Sequence, residues 1–395
     1  MVENDENNIF TNSHLERIVS HLYEWMVIQV EDVSVEEWTD SDYCTDNQGS
    51  IFNINSEEER DLGILKTDFD QQIPADSNFE RFVGSIGNHV EIQQSIYDQF
   101  SILVNSQKWN ERYASLIALS KFTRFIIDIV TQQLPFILNS IFKLVEDENI
   151  RIRWASLQCL IQLFIHMQEM IGSKEKVYQV LIKSIYDPNE RIQISCWLLL
   201  QTMTNVLEAD MIADTDLQVL SSLFEKLLQS QKLYVVESAL PSFMSLVSIA
   251  KERLNPYFGN IIPILLSVLE KHQSIGTKES RVFRCRAVKA FALCGLVVDN
   301  NTFSTYLNKF MMFVKKNQGS VDLAVDITRA SYSFIQTVGN EFAVYSPMIV
   351  RMAVNVLEIP LPDQEQDMRA SSRHNVKKIM STLTGLNNLI QICID

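Results

Sequence analysis

A five-residue pattern returns along this chain at a nearly fixed interval. Arg112-Tyr113-Ala114-Ser115-Leu116 comes back 41 residues later as Arg153-Trp154-Ala155-Ser156-Leu157. Asp147-Glu148-Asn149-Ile150-Arg151 comes back 40 residues on as Asp187-Pro188-Asn189-Glu190-Arg191. A third register agrees. Leu134-Pro135-Phe136, Ile262-Pro263-Ile264 and Ser346-Pro347-Met348 look like three starts of one helix. Their prolines are separated by about three and about two such intervals. A unit this short cannot bury its apolar face alone, so copies must stack against one another.

Self-similarity at ~40–47 residues in a helical pattern is the signature of HEAT or armadillo repeats. We therefore expect an all-α fold, an α-solenoid superhelix of about eight antiparallel HEAT helix pairs. Apolar periodicity places helices at Ser13 to about Trp38, 77–88, 89–105, 109–127, 133–146, 149–170, 174–186, 189–207, 214–229, 232–250, 256–272, 279–297, 302–316, 321–338, 341–357 and 370–392. Leu134, Ile137, Leu138, Ile141 and Val145 make one stripe along the helix that begins at Leu134. Pro135 then falls in its first turn, where the missing N–H has no helical acceptor. Pro241 falls inside a second helix and should kink it. In the turn motif, an Asp before the second helix and an Arg just inside it predict a ladder of charged hydrogen bonds between neighbouring copies.

Composition divides the chain into three stretches. Net charge is −15, yet Glu31 to Asp61 alone holds eleven carboxylates against one base, Arg60. The expected organisation is residues 1–38 as the first helix of an incomplete HEAT repeat, 39–75 as an acidic, partly disordered insertion, and 76–395 as the solenoid. A charge-dense, apolar-poor stretch cannot bury enough surface to offset the entropy of ordering it. Glu36, Glu37, Asp40, Asp42, Asp46, Glu57, Glu58 and Glu59 carry the charge of that loop. The remaining body is close to neutral, so the basic stripe that nucleic acid requires is missing. No apolar run reaches the ~18–20 residues of a membrane span, and the acidic start is unlike a secretory signal. Cys44, Cys159, Cys196, Cys285, Cys294 and Cys393 lack C-x-x-C spacing and read as reduced thiols, as expected in a cytosolic or nuclear protein.

Catalytic signatures are absent. There is no phosphate-cradling G-x-x-x-x-G-K-[ST], no G-x-G-x-x-G and no H-E-x-x-H. The six histidines are scattered, so no catalytic, cofactor or metal site is expected. The chain reads as a binding protein. In HEAT arrays the second helix of each pair lines the concave side. There the polar positions Gln158, Gln162, His166, Thr202, Asn205, Glu208 and Glu237 would stack into one groove for an extended peptide. The alternative for each stripe is an ordinary solvated helix face.

Several stretches resemble the importin-β superfamily of nuclear transport receptors, specifically its karyopherin beta-3 branch. Trp109-Asn110-Glu111-Arg112-Tyr113-Ala114-Ser115-Leu116-Ile117-Ala118-Leu119-Ser120 resembles its W-x-x-R-x-A-x-L-x-A-L-S helix. Asn255-Pro256-Tyr257-Phe258 before Ile262-Pro263, Gly295 through Phe303, and Gly339-Asn340-Glu341-Phe342 through Pro347 are similar to succeeding repeats in the same order. The acidic insertion after Glu37-Trp38 sits where these receptors carry an acidic loop. The resemblance implies a cytoplasmic and nuclear import receptor that binds basic cargo on its concave face, ribosomal proteins or histones among them. It also implies nucleoporin Phe-Gly repeats as partners. Only the middle of such a receptor is matched. The repeats that grip Ran-GTP have no counterpart, so weak or absent Ran-GTP binding is expected. His166 and Asn205 stand where relatives often present carboxylates. The rival reading is a HEAT scaffold organising one stable partner complex, as phosphatase scaffolds do.

Overall fold

The computed structural model describes residues 12–31, 34, 38, 82, 90–230, 232–271, 278–295, 297–358 and 382. All of the expected acidic insertion at 39–75, and most of the expected helices at 77–88 and 370–392, lie outside the described residues. So do Glu36, Glu37, Asp40, Asp42, Asp46, Glu57, Glu58 and Glu59. The fold is an all-α HEAT solenoid, and the chain divides into two compact units.

The described helices of the first unit are α1 (Asn12–Glu31), α2 (Val90–Leu103), α3 (Trp109–Phe122), α4 (Ile127–Leu144), α5 (Ile150–His166), α6 (Lys174–Ser184) and α7 (Glu190–Thr202). The pairs α2/α3, α4/α5 and α6/α7 are hairpins, and their second helices pack in series, α3 on α5 and α5 on α7. Helix α1 packs on both members of the first hairpin. Its Leu15, Val19, Tyr23 and Met26 form the buried stripe. The Tyr23 hydroxyl donates to the Ile96 carbonyl of α2 at 3.2 Å.

The second unit holds α8 (Asp214–Leu228), α9 (Leu233–Ala250), α10 (Asn255–Lys271), α11 (Lys278–Cys294), α12 (Asn300–Lys316), α13 (Val321–Val338) and α14 (Ser346–Leu357). Again the second helices α9, α11 and α13 pack in series, and α14 lies on α13. Its core is aromatic. Phe224 and Phe243 stack at 4.0 Å, and Phe291, Phe310, Phe334 and Phe342 form a connected cluster. Gly295 makes room for one more ring, because a Cβ there would sit 2.6 Å from the Phe303 side chain.

The prolines correct the expected register. Pro347 does lie in the first turn of α14. Pro135 and Pro263, however, lie inside α4 and α10, which begin well upstream. Burial of Ile129 and Val130 ahead of Pro135, and of Phe258 ahead of Pro263, extends each helix past the lost N–H. Pro241 is inside α9, as expected. The second helix expected at 189–207 ends at Thr202, and a turn follows.

Candidate protein-binding face

The hairpin turns of the first unit show why D-x-N-x-R recurs. Asn149 and Asn189 are N-caps, each accepting from the N–H two residues on, at Arg151 and Arg191, at 2.9 Å. The Oδ1 of Asp147 and Asp187 accepts from the Asn149 and Asn189 N–H in turn. The other oxygen of each reaches back one repeat. Asp147 Oδ2 meets Arg112 Nη2 at 3.0 Å, and Asp187 Oδ2 meets Arg153 Nε at 2.8 Å. Arg112 and Arg153 also donate to two carbonyls of the turn before their own helix. The predicted ladder is therefore present across three repeats. In the third, Gln193 replaces the arginine and donates to the Asp187 carbonyl, at 2.8 Å.

The second helices carry little open polar surface. In α3 every residue from Tyr113 to Phe122 is buried, and in α7 every residue from Arg191 to Leu200. Gln158 is only 2% exposed. Its Nε2 donates to the Ser195 hydroxyl of α7 at 2.9 Å, so it ties two repeats together rather than facing a groove. Gln162 and His166 are half-buried on the last turns of α5. Burial lowers the pKa of His166, and the positive charge of Arg124 lowers it further. The Thr202 hydroxyl is half-buried and donates to the Leu199 carbonyl. Asn205 and Glu208 are exposed in the turn beyond α7. Glu237 is on α9, but its side chain lies outside the described ones. Of the seven expected groove residues, those of α5 share a helix, and Gln158 is joined to the next repeat.

Two further features stand out. One is a cluster of Trp38, Trp154, Arg151 and Arg191 over the N-termini of α5 and α7. The sequence held a signal for it, since Arg151 and Arg191 occupy the same place in the repeated turn motif. The other is an open cleft of about 650 Å³ between α10 and α12. Pro263, Leu266, Leu269, Phe310, Met312 and Phe313 give it apolar walls, and Lys309, Lys316 and Glu270 line it as well. Met312 is 66% exposed there. Among the described residues, no three His, Cys, Asp or Glu side chains could share a metal ion. No described helix is long and apolar enough to cross a membrane.

Stacked α-hairpins with an inter-repeat Asp–Arg ladder define the class: a HEAT-repeat protein. Comparison with known proteins places it more closely. The chain is 21% identical over 332 residues to "Importin subunit beta-3" of Saccharomyces cerevisiae, a match covering 82% of this chain and 28% of that protein. It is 28% identical over 125 residues to "Probable importin-5 homolog" of Dictyostelium discoideum, covering 30% of this chain and 11% of that one. The solved structure of Kap121p superposes with a TM-score of 0.71 at 18% identity, covering 97% of this chain and 37% of that one. Kap121p bound to RanGTP gives the same values. Residues 110–205, from α3 to just past α7, match the family described as the Vacuolar 14 Fab1-binding region. The chain is thus similar to importin-β-type karyopherins along most of its length and shares their helical fold. It spans about a third of the length of these importin relatives.

Proposed function

We propose that this chain is the cargo-binding part of a nuclear import receptor, moving between cytoplasm and nucleus and acting by binding rather than by transforming a substrate. The observation that carries this reading is the similarity to importin beta-3 along 82% of the chain, on the same helical architecture. Kap121p has been solved with Pho4p, Ste12p, Cdc14p, Ulp1p and Nup53p, so its fold accepts several protein ligands. Basic proteins, ribosomal proteins or histones among them, are the expected cargo. The carboxylates between Glu31 and Asp61 supply the complementary charge. Gln162, His166, Thr202, Asn205, Glu208 and Glu237 remain the polar positions assigned to cargo contact. The cleft between α10 and α12, with its apolar walls, is the place assigned to phenylalanine side chains of nucleoporin repeats. Ran-GTP binding by these 395 residues alone should be weak or absent.

The test is a pull-down with lysine- and arginine-rich protein segments over a range of salt. Affinity is expected to fall steeply with salt and to drop when Glu31–Asp61 is deleted. Salt-independent capture, untouched by that deletion, would refute the basic-cargo reading. The second reading, a scaffold for one stable complex, is favoured by the match of residues 110–205 to a region described by Fab1 binding. Recovery of a single constant partner, indifferent to basic segments, would select it.

A further inference from the structure

Arg151 and Arg191 open α5 and α7 at equivalent places, two residues beyond their asparagine caps, and each is only 1% exposed. Between them lies the indole of Trp38, itself 2% exposed. Its ring centre is 4.3 Å from the Arg191 guanidinium carbon and 5.7 Å from that of Arg151. Trp154 meets the same ring edge-on, at 5.8 Å and 80°. Arg151 is also 5.4 Å from the ring of Trp109. The main chain is held as well as the side chain. Arg151 Nη2 donates to the Ser34 carbonyl at 2.8 Å, and the Trp38 N–H donates to that same carbonyl at 2.9 Å.

Two like charges taken out of water side by side are costly unless electron-rich groups face them. The π face of an indole is the best such neutral partner among side chains, and desolvation strengthens its attraction for guanidinium. An aliphatic side chain of similar bulk would fill the space without that attraction. The arrangement therefore selects a ligand of defined chemistry: a tryptophan whose backbone turns so that a carbonyl four residues earlier reaches Arg151. Two cations at the site also favour carboxylates close to that tryptophan in sequence. The pattern Glu31-Asp32-Val33-Ser34-Val35-Glu36-Glu37-Trp38 satisfies both conditions in this chain.

We infer that Arg151, Arg191 and Trp154 form a recognition site for an acidic, tryptophan-bearing peptide, filled here in cis by Trp38. A tethered copy competes at an effective concentration of about millimolar, so a free peptide of the same pattern is excluded until residue 38 is removed. The inference is independent of the import reading, because it needs neither basic cargo nor transport.

The test uses a fluorescein-labelled synthetic peptide of residues 31–42, titrated by anisotropy against the full chain. The wild type, Trp38→Ala and the double variant Trp38→Ala/Arg191→Gln are compared. The peptide should bind W38A at least tenfold more tightly than wild type, and the double variant should lose that gain. A peptide with alanine in place of its tryptophan should bind none of them. A W38A chain that keeps its helical circular dichroism but binds no tighter than wild type overturns the site. Equal binding by the double variant overturns it too. If W38A loses helical signal, glutamyl endopeptidase digestion of wild type and Arg191→Lys carries the test instead. Lysine keeps the charge but lacks the planar guanidinium. Cleavage at Glu36 and Glu37 should run at least tenfold faster in R191K, and equal rates overturn the inference.

Discussion

Asp187 uses its two carboxylate oxygens for different purposes. One accepts from the Asn189 N–H and shapes the turn; the other accepts from Arg153 of the previous repeat. Both partners are mostly buried, so the charged bond is shielded from water and is worth more than a surface ion pair. Asp187→Ala should cost about 2–3 kcal/mol. Asp187→Asn keeps an oxygen for the turn but loses the charge, and should cost about half as much. Urea unfolding of the three chains checks the order, and equal losses would deny the ladder its share. A second residue carries strain. Lys251, just after α9, has φ 46° and ψ −128°, nearly the conformation of Gly339 after α13, at φ 56° and ψ −133°. Glycine occupies that region freely whereas lysine does not. Lys251→Gly should therefore raise stability by about 1 kcal/mol, measured as an upward shift of the melting temperature.

Between elements, α11 and α13 are joined by Arg284 and Asp326, 3.4 Å apart with both side chains 4% exposed. Removing one member leaves the other charge buried. Asp326→Ala should cost about 3–5 kcal/mol. Replacing both, with Arg284→Met and Asp326→Leu, should recover most of that loss, because desolvation of the pair opposes its attraction. A double-mutant cycle by thermal or urea unfolding reads the coupling, and additive losses would sink the argument. The elements also show where the sequence was legible. Existence and order of α2 to α14 followed from apolar periodicity, and the Asp–Arg ladder followed from the repeated turn motif. The start of α4 was misplaced because a proline marks a first turn only when nothing upstream is worth burying. Ile129 and Val130 reverse that balance. Gln158 was misread for a related reason. A glutamine on a second helix is polar in the sequence, yet its partner, Ser195, stands in the next repeat, where helical periodicity cannot see it. The repeated turn motif marked Arg151 and Arg191 as equivalent, but their meeting with Trp38 lay beyond sequence reasoning because it joins residues more than a hundred positions apart.

At the scale of the whole chain, a solenoid has no single centre, and each repeat rests on its neighbours. Damage should therefore spread only as far as packing carries it. The chain divides into two compact units, with α1–α7 in one and α8–α14 in the other. The ladder residues Arg112, Asp147, Arg153 and Asp187 all belong to the first. Asp187→Ala should thus accelerate amide exchange in α5 to α7 and leave the amides of α11 and α13 at their wild-type rates. Asp326→Ala should do the reverse, exposing α11 to α13 and sparing α5 to α7. Exchange measured by mass spectrometry on both variants separates two possibilities. If each substitution loosens only its own unit, stability is local, and a ligand bound to one unit protects that unit alone. If either substitution loosens all fourteen described helices together, the chain unfolds as one cooperative body, and the division into units has no energetic meaning. The nearest-neighbour packing of α3, α5 and α7, and separately of α9, α11 and α13, argues for the first outcome.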